Sequence, residues 1–519
     1  MKTIFTEALV VGSGFGAAAP ALRLCKAGFD VLMIEKGPDL IPERDFRQTQ
    51  DPKYLLSYLK GIGNEQLGFT YAEALGGGSG FYEMISLRAP SKVFQQTDDD
   101  GRPLWPAGIN RDVLNPYYEI AEEMLHVEQI RPDEVPKSGA VFSLLMKNLG
   151  YTCDRAPYAV NGCVGSGYCV TGCLFGAKQS LHLNYLPEAR DAGLRILTET
   201  EALDVATLLA HPASTSQVRH VPSIPHRYEV RCRNTTSGEE FLIHTKILVL
   251  GGGTIGTAKL LLNSRGKLRF LGRHVGKNIA INGSVKAAGI VPEGFPEGDM
   301  FSGRSHPGMI SYQFFDSMGV TISSAKPLPL NVIASAHLTL PGEGDDNSYW
   351  GEDNVELMKM YRRRMIVLYA LGLTPACAEI KRTGESSFES QLDLTPDLRH
   401  YYNQTEALLH SIFERNGCRV LNIANIDHEG REYPDIHFTT THMIGSCRMS
   451  DTKENGVVNA YGEAFDYPGM FVTDGAAIPS SLAVNSSLTI LANAERIAAH
   501  IVNAYEHESR PRMKMLTER

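Results

Sequence analysis

The chain has 519 residues, of which 43% are hydrophobic and 21% charged, with a formal net charge of −9. This length favours two domains over one, the ordinary composition favours a water-soluble globular protein, and the acidic balance argues against a nucleic-acid-binding surface. Nine cysteines, an odd number scattered along the chain, argue against a scaffold built on disulfides.

Targeting and membrane segments are not expected. Only about six residues precede the first predicted strand, and no apolar run is long enough to span a bilayer. The longest such run, residues 365–373, follows three arginines at 362–364. We interpret it as a core strand after a solvated helix end, with a membrane-surface patch as the alternative. The simplest expectation is a cytoplasmic protein with no integral membrane segment.

The first 35 residues predict a strand, a helix and a second strand. Residues 7–11 predict a short strand that is apolar after Glu7 and β-branched at its end. Residues 17–28 are rich in small and helix-forming residues, and residues 30–35 predict a second strand that is apolar between Asp30 and Glu35. Gly28 is placed as the stop of the helix. The order predicts a βαβ unit.

The turn between the first strand and the helix has the spacing of a dinucleotide-binding motif. Gly12 allows a tight turn, Gly14 lets the backbone approach a pyrophosphate, and Ala17 takes the third position, where helix and strand pack closely. The helix N-terminus offers free N–H groups to phosphates, and Glu35 ends the second strand where an acid accepts hydrogen bonds from a ribose. The alternative is a glycine-rich turn without a ligand. The motif alone does not identify the dinucleotide.

A second glycine-rich loop lies at residues 76–80, with four glycines in five positions. Such a loop can lie along a cofactor and donate N–H groups to it, and a flexible linker is the alternative. Before it, residues 40–68 predict a loop and a helix around 52–62. After it, Asn110 is a plausible cap for a helix over residues 110–126.

Cys163, Cys169 and Cys173 lie within eleven residues. Three thiols could bind zinc or an iron–sulfur cluster, yet the C-x2-C spacing and an obvious fourth ligand are missing. The surrounding glycines favour a tight structural loop, so we expect no metal.

Residues 194–250 contain several predicted strands, at 195–200, 227–233 and 241–250. The last of these runs into the glycine-rich segment 251–256 and a further helix. This is a second strand–glycine–helix junction, so the sheet is expected to present two such edges to one ligand.

Residues 290–430 differ in character from the flanking chain. They combine Pro- and Gly-bearing loops, β-like runs at 308–315 and 330–340, and a helix around 397–415. This region is the best candidate for a separate domain that covers the substrate.

Two C-terminal stretches, residues 441–449 and 471–491, contain the remaining candidates for chemistry. The second includes a predicted strand that ends at Asp474 and Gly475, and a helix that begins near Asn485. That arrangement also suits backbone N–H groups aimed at a ligand.

Taken with the N-terminal turn, these stretches resemble the glucose–methanol–choline (GMC) oxidoreductase family of FAD enzymes, and within it the cholesterol-oxidase-like branch. The motifs occur in family order at both ends and in the middle, and only residues 290–430 lack them. The matching positions are Gly12 to Ala18, Glu35, Gly76 to Ser79, Trp105-Pro106, Asn115 to Tyr118, Gly172-Cys173, Gly176 to Lys178, Leu248 to Ser264, Arg273 to Asn278, His442 with Gly445, and Val472 to Pro479 with Asn485.

The resemblance implies an α/β fold with a Rossmann-type FAD-binding domain that is discontinuous in sequence, and a substrate domain of mixed β-sheet and helices. We expect residues 1–90, 185–290 and 435–519 to form the FAD-binding domain. Residues 91–184 and 291–434 are expected to form the substrate-binding domain.

The resemblance also implies where FAD lies. Its pyrophosphate is expected on the first glycine turn, its adenosine ribose near Glu35, and its ring between the second glycine loop and the Asp474-Gly475 turn. Phe81 stands where some relatives link the flavin to a histidine, so we expect FAD to be non-covalent. The residues expected at the cofactor are Gly12, Ser13, Gly14, Phe15, Gly16, Ala17, Glu35, Lys36, Gly77, Gly78, Ser79, Gly252, Asp474 and Gly475.

His442 and Asn485 fall at the family's catalytic positions, facing flavin N5. Oxidation of an alcohol requires removal of the hydroxyl proton and transfer of a hydride from the same carbon. Histidine suits the proton step, and Asn485 can hold the substrate oxygen by a hydrogen bond. The alternatives are a structural histidine and a helix-capping asparagine.

The sequence departs from the family at Tyr82-Glu83, where many members have Asn-Gly, and at Ser486, where proline is usual. The glutamate that lets cholesterol oxidases move a ring double bond is not assigned, which leaves isomerase activity open.

We therefore predict an FAD-dependent oxidoreductase that acts on the CH–OH group of a small-molecule alcohol, favouring a bulky, fairly apolar one, with O2 or another electron acceptor. A non-redox lyase of the same fold is the main alternative. A nicotinamide dehydrogenase and a pure binding module are less favoured.

Overall fold

The computed structural model describes residues 1–48, 51–64, 67–208, 226–299, 308–325, 351–384, 387–421 and 438–509. The strands are β1 (Lys2–Val11), β2 (Val31–Ile34), β3 (Leu59–Gly63), β4 (Leu67–Ala72), β5 (Val127–Gln129), β6 (Asp154–Arg155), β7 (Pro157–Ala159), β8 (Arg195–Leu197), β9 (Thr200–Thr207), β10 (Tyr228–Asn234), β11 (Glu240–Leu250), β12 (Val285–Ile290), β13 (Met309–Ser311), β14 (Val320–Ala325), β15 (Met365–Gly372), β16 (Ala378–Arg382), β17 (Phe388–Leu392), β18 (Arg419–Leu421), β19 (Phe438–Thr440) and β20 (Met470–Val472). The helices are α1 (Phe15–Lys26), α2 (Pro42–Gln48), α3 (Pro52–Tyr58), α4 (Arg111–Met124), α5 (Lys137–Asn148), α6 (Tyr185–Asp191), α7 (Gly253–Ser264), α8 (Phe315–Met318), α9 (Glu352–Arg364), α10 (Pro396–Glu414) and α11 (Ser487–Ser509).

The first sheet contains seven strands from widely separated parts of the chain, in the order β8-β2-β1-β11-β10-β9, with β20 paired to β11. Strands β8, β2, β1, β11 and β20 are parallel, while β10 is antiparallel to both of its neighbours. Helix α1 packs against α11 and α6, so the buried strands are covered by helices, as a parallel sheet requires. The predicted βαβ unit is confirmed, and the parallel order brings the carboxyl ends of β1 and β11 to one edge.

The second sheet has six strands in the order β18-β12-β15-β14-β13-β6, and every pair in it is antiparallel. Its central strand β15 is almost entirely buried, and α10 packs on β12 and β18. A three-stranded sheet has the order β19-β4-β3, and two smaller sheets pair β16 with β17 and β5 with β7. The two large sheets and their helices confirm the α/β class.

Two predicted elements at 365–373 and 397–415 are confirmed as β15 and α10, and the arginines before β15 lie at the end of α9. Within the ranges described above, no helix combines the length and hydropathy that a bilayer crossing requires. The β-like run at 330–340 lies outside the described residues.

The helix predicted around 52–62 is wrong in its second half. Helix α3 ends at Tyr58, and residues 59–63 form β3, which pairs antiparallel with β4. Gly61 and Gly63 weaken helix propensity there, and a partner strand satisfies the backbone instead. The division into two domains stays a prediction. Its boundary at residue 290 falls inside the second sheet, because β12 pairs with β15.

Candidate cofactor site and active site

The first glycine turn is a packing junction of three chain segments. A Cβ on Gly12 (φ +93°) would lie 2.4 Å from the carbonyl oxygen of Gly251, and a Cβ on Gly16 would lie 2.3 Å from the Cα of Asp474. Ala17 is fully buried, and a Cβ on Gly251 would lie 2.6 Å from the Cβ of Ala17. The turn after β1, the junction after β11 and the C-terminal segment therefore meet with no room for side chains.

A second set of glycines leaves free space beside the backbone. A Cβ on Gly14 would meet only the Cα of Gly77, at 3.9 Å, and one on Gly78 would meet nothing within 4 Å. Helix α1 begins directly after Gly14, and α7 begins directly after Gly252, which is exposed. The N-terminus of α1 beside the accessible Gly14 suits an anionic group such as a diphosphate, whereas the first N–H of α7 donates to the Asp474 carboxylate.

Ser13 links Glu35 to the second glycine loop. Its hydroxyl donates to Glu35 Oε2 at 2.6 Å and accepts from the Gly76 N–H at 2.9 Å, while the Gly37 N–H donates to Glu35 Oε1 at 2.9 Å. Burial raises the pKa of Glu35 to about 7, although the bonds from Gly37 and Ser13 oppose that shift. The Lys36 N–H also donates to the carboxylate, and one lone pair remains for a further donor such as a ribose hydroxyl.

Other predicted cofactor residues are engaged within the protein. Lys36 forms ion pairs with Glu73 at 2.9 Å and Glu201 at 3.3 Å. The ring of Phe15 lies 5.3 Å from that of Tyr82, in an edge-to-face arrangement. These contacts show how the side chains are held and leave their predicted role at the cofactor untested.

Gly77 and Ser79 shape the second glycine loop. Gly77 has a φ of +55° and approaches Gly14 so closely that a Cβ would lie 3.0 Å from the Gly14 Cα. The buried Ser79 hydroxyl donates to the carbonyl oxygen of Gly76 at 2.7 Å and accepts from the Leu181 N–H at 3.2 Å. The loop is therefore a packed turn, and not a linker.

Asp474 caps helix α7. Its Oδ2 accepts from the Gly253 N–H at 2.7 Å and the Thr257 hydroxyl at 2.6 Å, and its Oδ1 accepts from the Ala476 N–H at 2.8 Å. Burial raises the pKa of Asp474 to about 6 against these three bonds. The neighbouring carbonyl of Gly475 accepts from the Gly445 N–H at 2.8 Å, which ties this turn to the segment that contains His442.

His442 and Asn485 lie side by side, although they are 43 residues apart in sequence. Asn485 Nδ2 is 3.3 Å from His442 Nε2, and the Tyr369 hydroxyl is 3.0 Å from His442 Nδ1. Burial, and to a lesser extent the nearby charge of Lys286, together lower the pKa of His442 to about 4. The imidazole is thus neutral at pH 7 and able to accept a proton.

Sequence reasoning missed three polar residues around His442. Tyr369 of β15 and Lys286 of β12 are direct cross-strand partners, and the Ser284 hydroxyl donates to the Tyr369 oxygen at 3.0 Å. Lys286 is accessible to solvent although protein surrounds it on most sides, as expected for a residue that faces a cleft. Only the register of the second sheet, which no sequence motif indicates, brings these residues to His442.

A small, partly open cavity lies beside this cluster. Asn485 and Tyr369 contribute polar groups to its wall, and much of the remainder is aliphatic. The lining residues are Ile85, Leu87, Ala156, Tyr158, Met309, Ile310, Thr321, Ser323, Tyr369, Leu371 and Asn485.

The cysteine loop contacts the second glycine loop through Lys178. The buried Lys178 ammonium donates to the carbonyl oxygens of Cys169 at 2.6 Å and Gly80 at 2.5 Å. Among the residues that the structure describes, no group of three His, Cys, Asp or Glu side chains is arranged to hold a metal ion. The contacts give Lys178 a role in joining the two loops.

Comparison with known proteins gives two matches to family models. Residues 3–282 match the N-terminal model of the GMC oxidoreductases, and residues 388–494 match the C-terminal model. Together these segments cover most of the chain and include all of the residues proposed above for the cofactor and for catalysis.

Several curated proteins are similar over nearly the whole chain. The long-chain-alcohol oxidase FAO4B of Arabidopsis thaliana is 26% identical, and the alignment covers 97% of this chain and 68% of that protein. The cholesterol oxidase of Mycobacterium tuberculosis strain H37Rv is 25% identical, with 97% and 92% covered. The paromamine 6'-oxidase of Streptomyces fradiae is also 25% identical, with 95% and 90% covered.

Solved structures share the fold. The crystal structure of pyridoxine 4-oxidase from Mesorbium loti superposes with a TM-score of 0.67 at 16% identity, covering 98% of this chain and all of that one. Formate oxidase gives the same TM-score and coverage at 14% identity. This likeness in fold confirms the predicted fold class.

Proposed function

We propose a specific reaction for this chain, which belongs to the GMC oxidoreductase family and is an FAD-dependent oxidoreductase. The chain oxidises the CH–OH group of an apolar small-molecule alcohol, and His442 removes the hydroxyl proton. The observation that supports this most directly is the pairing of neutral His442 with Asn485, which lies at the wall of a largely aliphatic cavity.

Each part of the site has a separate role in this reaction. His442 Nε2 accepts the proton of the alcohol, because the imidazole is neutral at pH 7. The Asn485 amide donates to the alcohol oxygen and thereby orients the C–H bond beside it. The aliphatic wall excludes water, which strengthens both polar contacts. FAD, when bound, supplies the acceptor for the hydride that leaves the same carbon.

The cavity favours an apolar substrate. Ile85, Leu87, Met309, Ile310 and Leu371 contribute aliphatic surface to it. Burying each methylene of an alcohol against such surface contributes about 0.8 kcal/mol. The names of the long-chain-alcohol oxidase and the cholesterol oxidase agree with a substrate of this kind.

A panel of alcohols tests the substrate class. We expect the holoprotein, mixed without oxygen with 1-butanol, 1-octanol, 1-dodecanol, cyclohexanol, cholesterol or glucose, to lose its flavin absorbance near 450 nm with the longer or bulkier apolar alcohols. Rapid-mixing absorbance spectroscopy measures the rate. A flavin that every alcohol leaves oxidised would favour a non-redox lyase, and faster bleaching by glucose than by 1-octanol would contradict the apolar class. Repetition in air tests whether O2 is the acceptor.

We further propose that FAD is held without a covalent bond. The N-terminus of α1 at the open Gly14 suits its diphosphate, and Glu35 suits its adenosine ribose. The ring of Phe81 has no nucleophilic atom, and it packs against the rings of Phe46 and Tyr58 in a small buried cluster. Where GMC relatives attach flavin at this position, a histidine nitrogen forms the bond.

Glu35→Gln tests the ribose contact. In the protein without FAD, the pKa of Glu35 is about 7, above its ordinary value of about 4.5, because burial disfavours the charged form. The contribution of Glu35 to the free energy of unfolding is therefore present at low pH and is lost as the pH rises from about 4.5 to about 7. The ionised form accepts the stronger hydrogen bonds, so we expect FAD to bind about tenfold more tightly at pH 8 than at pH 6.

FAD fluorescence titration of the apoprotein at both pH values measures this effect. Glu35→Gln should bind FAD more weakly and lose most of the pH dependence, with a remainder due to Asp474, whose pKa of about 6 lies in the same range. Glu188→Gln, which alters a surface pair with Lys26, serves as the control. Equal affinity in both variants would remove Glu35 from the ribose site, and flavin that stays with the denatured chain would contradict non-covalent binding.

A further inference from the structure

Tyr369 connects the proposed base to the cavity. Its hydroxyl lies 3.0 Å from His442 Nδ1, and its side chain lines the cavity beside Asn485. It extends from β15, whereas His442 and Asn485 come from the C-terminal segment. The contact therefore joins the second sheet, which contains β15, to His442 and Asn485.

The contacts around His442 determine which ring nitrogen carries its proton. A neutral imidazole has one N–H, and the low pKa of His442 keeps the ring neutral at pH 7. The Asn485 amide nitrogen, which is a donor only, faces Nε2 at 3.3 Å, so Nε2 presents its lone pair. The proton accordingly lies on Nδ1 and points to the oxygen of Tyr369.

The Tyr369 oxygen then accepts two hydrogen bonds, one from His442 Nδ1 and one from the Ser284 hydroxyl, both at 3.0 Å. Neither bond uses the proton of the phenol itself. Burial raises the pKa of Tyr369 well above its ordinary value, so the phenol keeps that proton at neutral pH. Because Tyr369 lines the cavity, the proton is available to an oxygen bound there.

We propose that Tyr369 is a positioning residue that holds His442 in the Nδ1–H tautomer, which leaves Nε2 as the base, and that it directs its own hydroxyl proton into the cavity. The proposal rests on the proposed function. The proton of the alcohol moves to Nε2. Nδ1 keeps its own proton, which stays hydrogen-bonded to the Tyr369 oxygen, and this bond stabilises the resulting imidazolium.

Two charged groups face this cluster and influence its titration. The Lys286 ammonium lies 5.8 Å from the centre of the Tyr369 ring, and its charge lowers the pKa of His442. Burial lowers the pKa of Lys286 and raises the pKa of Tyr369, and the charge of Glu83, which follows the second glycine loop, opposes the first shift and adds to the second. Both groups remain unchanged in the variants below, so changes in the pH profile report on Tyr369.

Tyr369→Phe tests the proposal because it keeps the ring and removes only the hydroxyl. With the fastest alcohol of the panel, we expect anaerobic flavin reduction to slow by about 10- to 100-fold, the range seen when the partner that orients a metal-bound histidine is removed. Tyr461→Phe, which removes the hydroxyl of an exposed tyrosine that stacks on His500 and does not line the cavity, should stay near the wild-type rate.

The pH profile separates positioning from a general loss of structure. An Nδ1–H bond to Tyr369 favours the imidazolium, so its loss should lower the pKa of His442 and move the acid limb of the reduction rate to lower pH. A limb that moves to higher pH would show that Tyr369 donates to Nδ1, and it would overturn the proposal. A long-range 1H–15N correlation spectrum of the histidine-labelled holoprotein should show His442 with Nε2 deprotonated, and a mixture of tautomers in Tyr369→Phe.

The outcomes distinguish this proposal from the function on which it rests. An unchanged rate and pH profile in Tyr369→Phe, with slow reduction in His442→Ala, would refute the role of Tyr369 and leave His442 as the base. Undiminished reduction in both variants would refute the proposed function itself.

Discussion

His442→Ala should bind FAD as the wild type does and reduce it with an alcohol about 10²- to 10⁴-fold more slowly, the usual contribution of a positioned base. The side chain contacts Tyr369 and Asn485, while the residues proposed for the diphosphate and ribose lie on other segments. Removal of the imidazole therefore takes away the proton acceptor and leaves the proposed FAD contacts intact. Anaerobic rapid mixing gives the rate, and the flavin-to-protein absorbance ratio gives the occupancy.

Thr441→Ala is a suitable control for His442→Ala, because Thr441 is the exposed neighbour in the same segment. It should reduce flavin at the wild-type rate. If His442→Ala instead lost its flavin, the residue would belong to the cofactor site. If it reduced flavin at full speed, another group would have to be the base.

Gly16→Ala should lower the thermal stability of the protein and abolish its retention of FAD. The added methyl carbon would lie 2.3 Å from the Asp474 Cα and 2.7 Å from the Asp474 nitrogen, and backbone atoms cannot rotate away as a side chain can. Overpacking of this kind costs about 1–3 kcal/mol or more. The shift would separate α1 from the Asp474 turn and so disturb the α1 N-terminus at the proposed diphosphate site.

Differential scanning calorimetry and flavin content measure the two effects. Gly108→Ala is the matched control, because Gly108 does not have a positive φ and a Cβ there meets nothing within 4 Å. Wild-type stability and flavin content in Gly16→Ala would show that the three segments tolerate separation. Close packing at the glycine turn would then not be required for FAD binding.

Local patterns predicted the local structure well. The apolar run before Gly12, the small residues after it and the spacing to Glu35 indicated β1, α1 and β2, because each element depends mainly on its own residues. Asn110 was predicted to cap α4, and its side chain accepts from the Val113 N–H at 3.0 Å. The family motifs added the pairing of His442 and Asn485, which no local pattern contains.

Contacts that depend on register or on distant partners could not be predicted. Lys286 and Tyr369 meet because β12 and β15 are antiparallel in one particular register. The end of α3 at Tyr58 depends on the pairing of β3 with β4. Asp474 was expected to face the cofactor. That it also caps α7 could not be predicted, because the cap is a hydrogen bond from Gly253, which lies 221 positions earlier in the chain.

The pairing of β20 with the end of β11 has a consequence for the order in which the protein can assemble. Residues 470–472 fill the edge of β11 at 248–250, and the Thr473 hydroxyl donates to the Gly16 carbonyl oxygen at 2.6 Å. During synthesis the first turn is made more than 450 residues before this partner. A ribosome-bound chain therefore carries an uncovered apolar strand edge at residues 248–250 until residues 470–472 emerge, a state that invites chaperone binding.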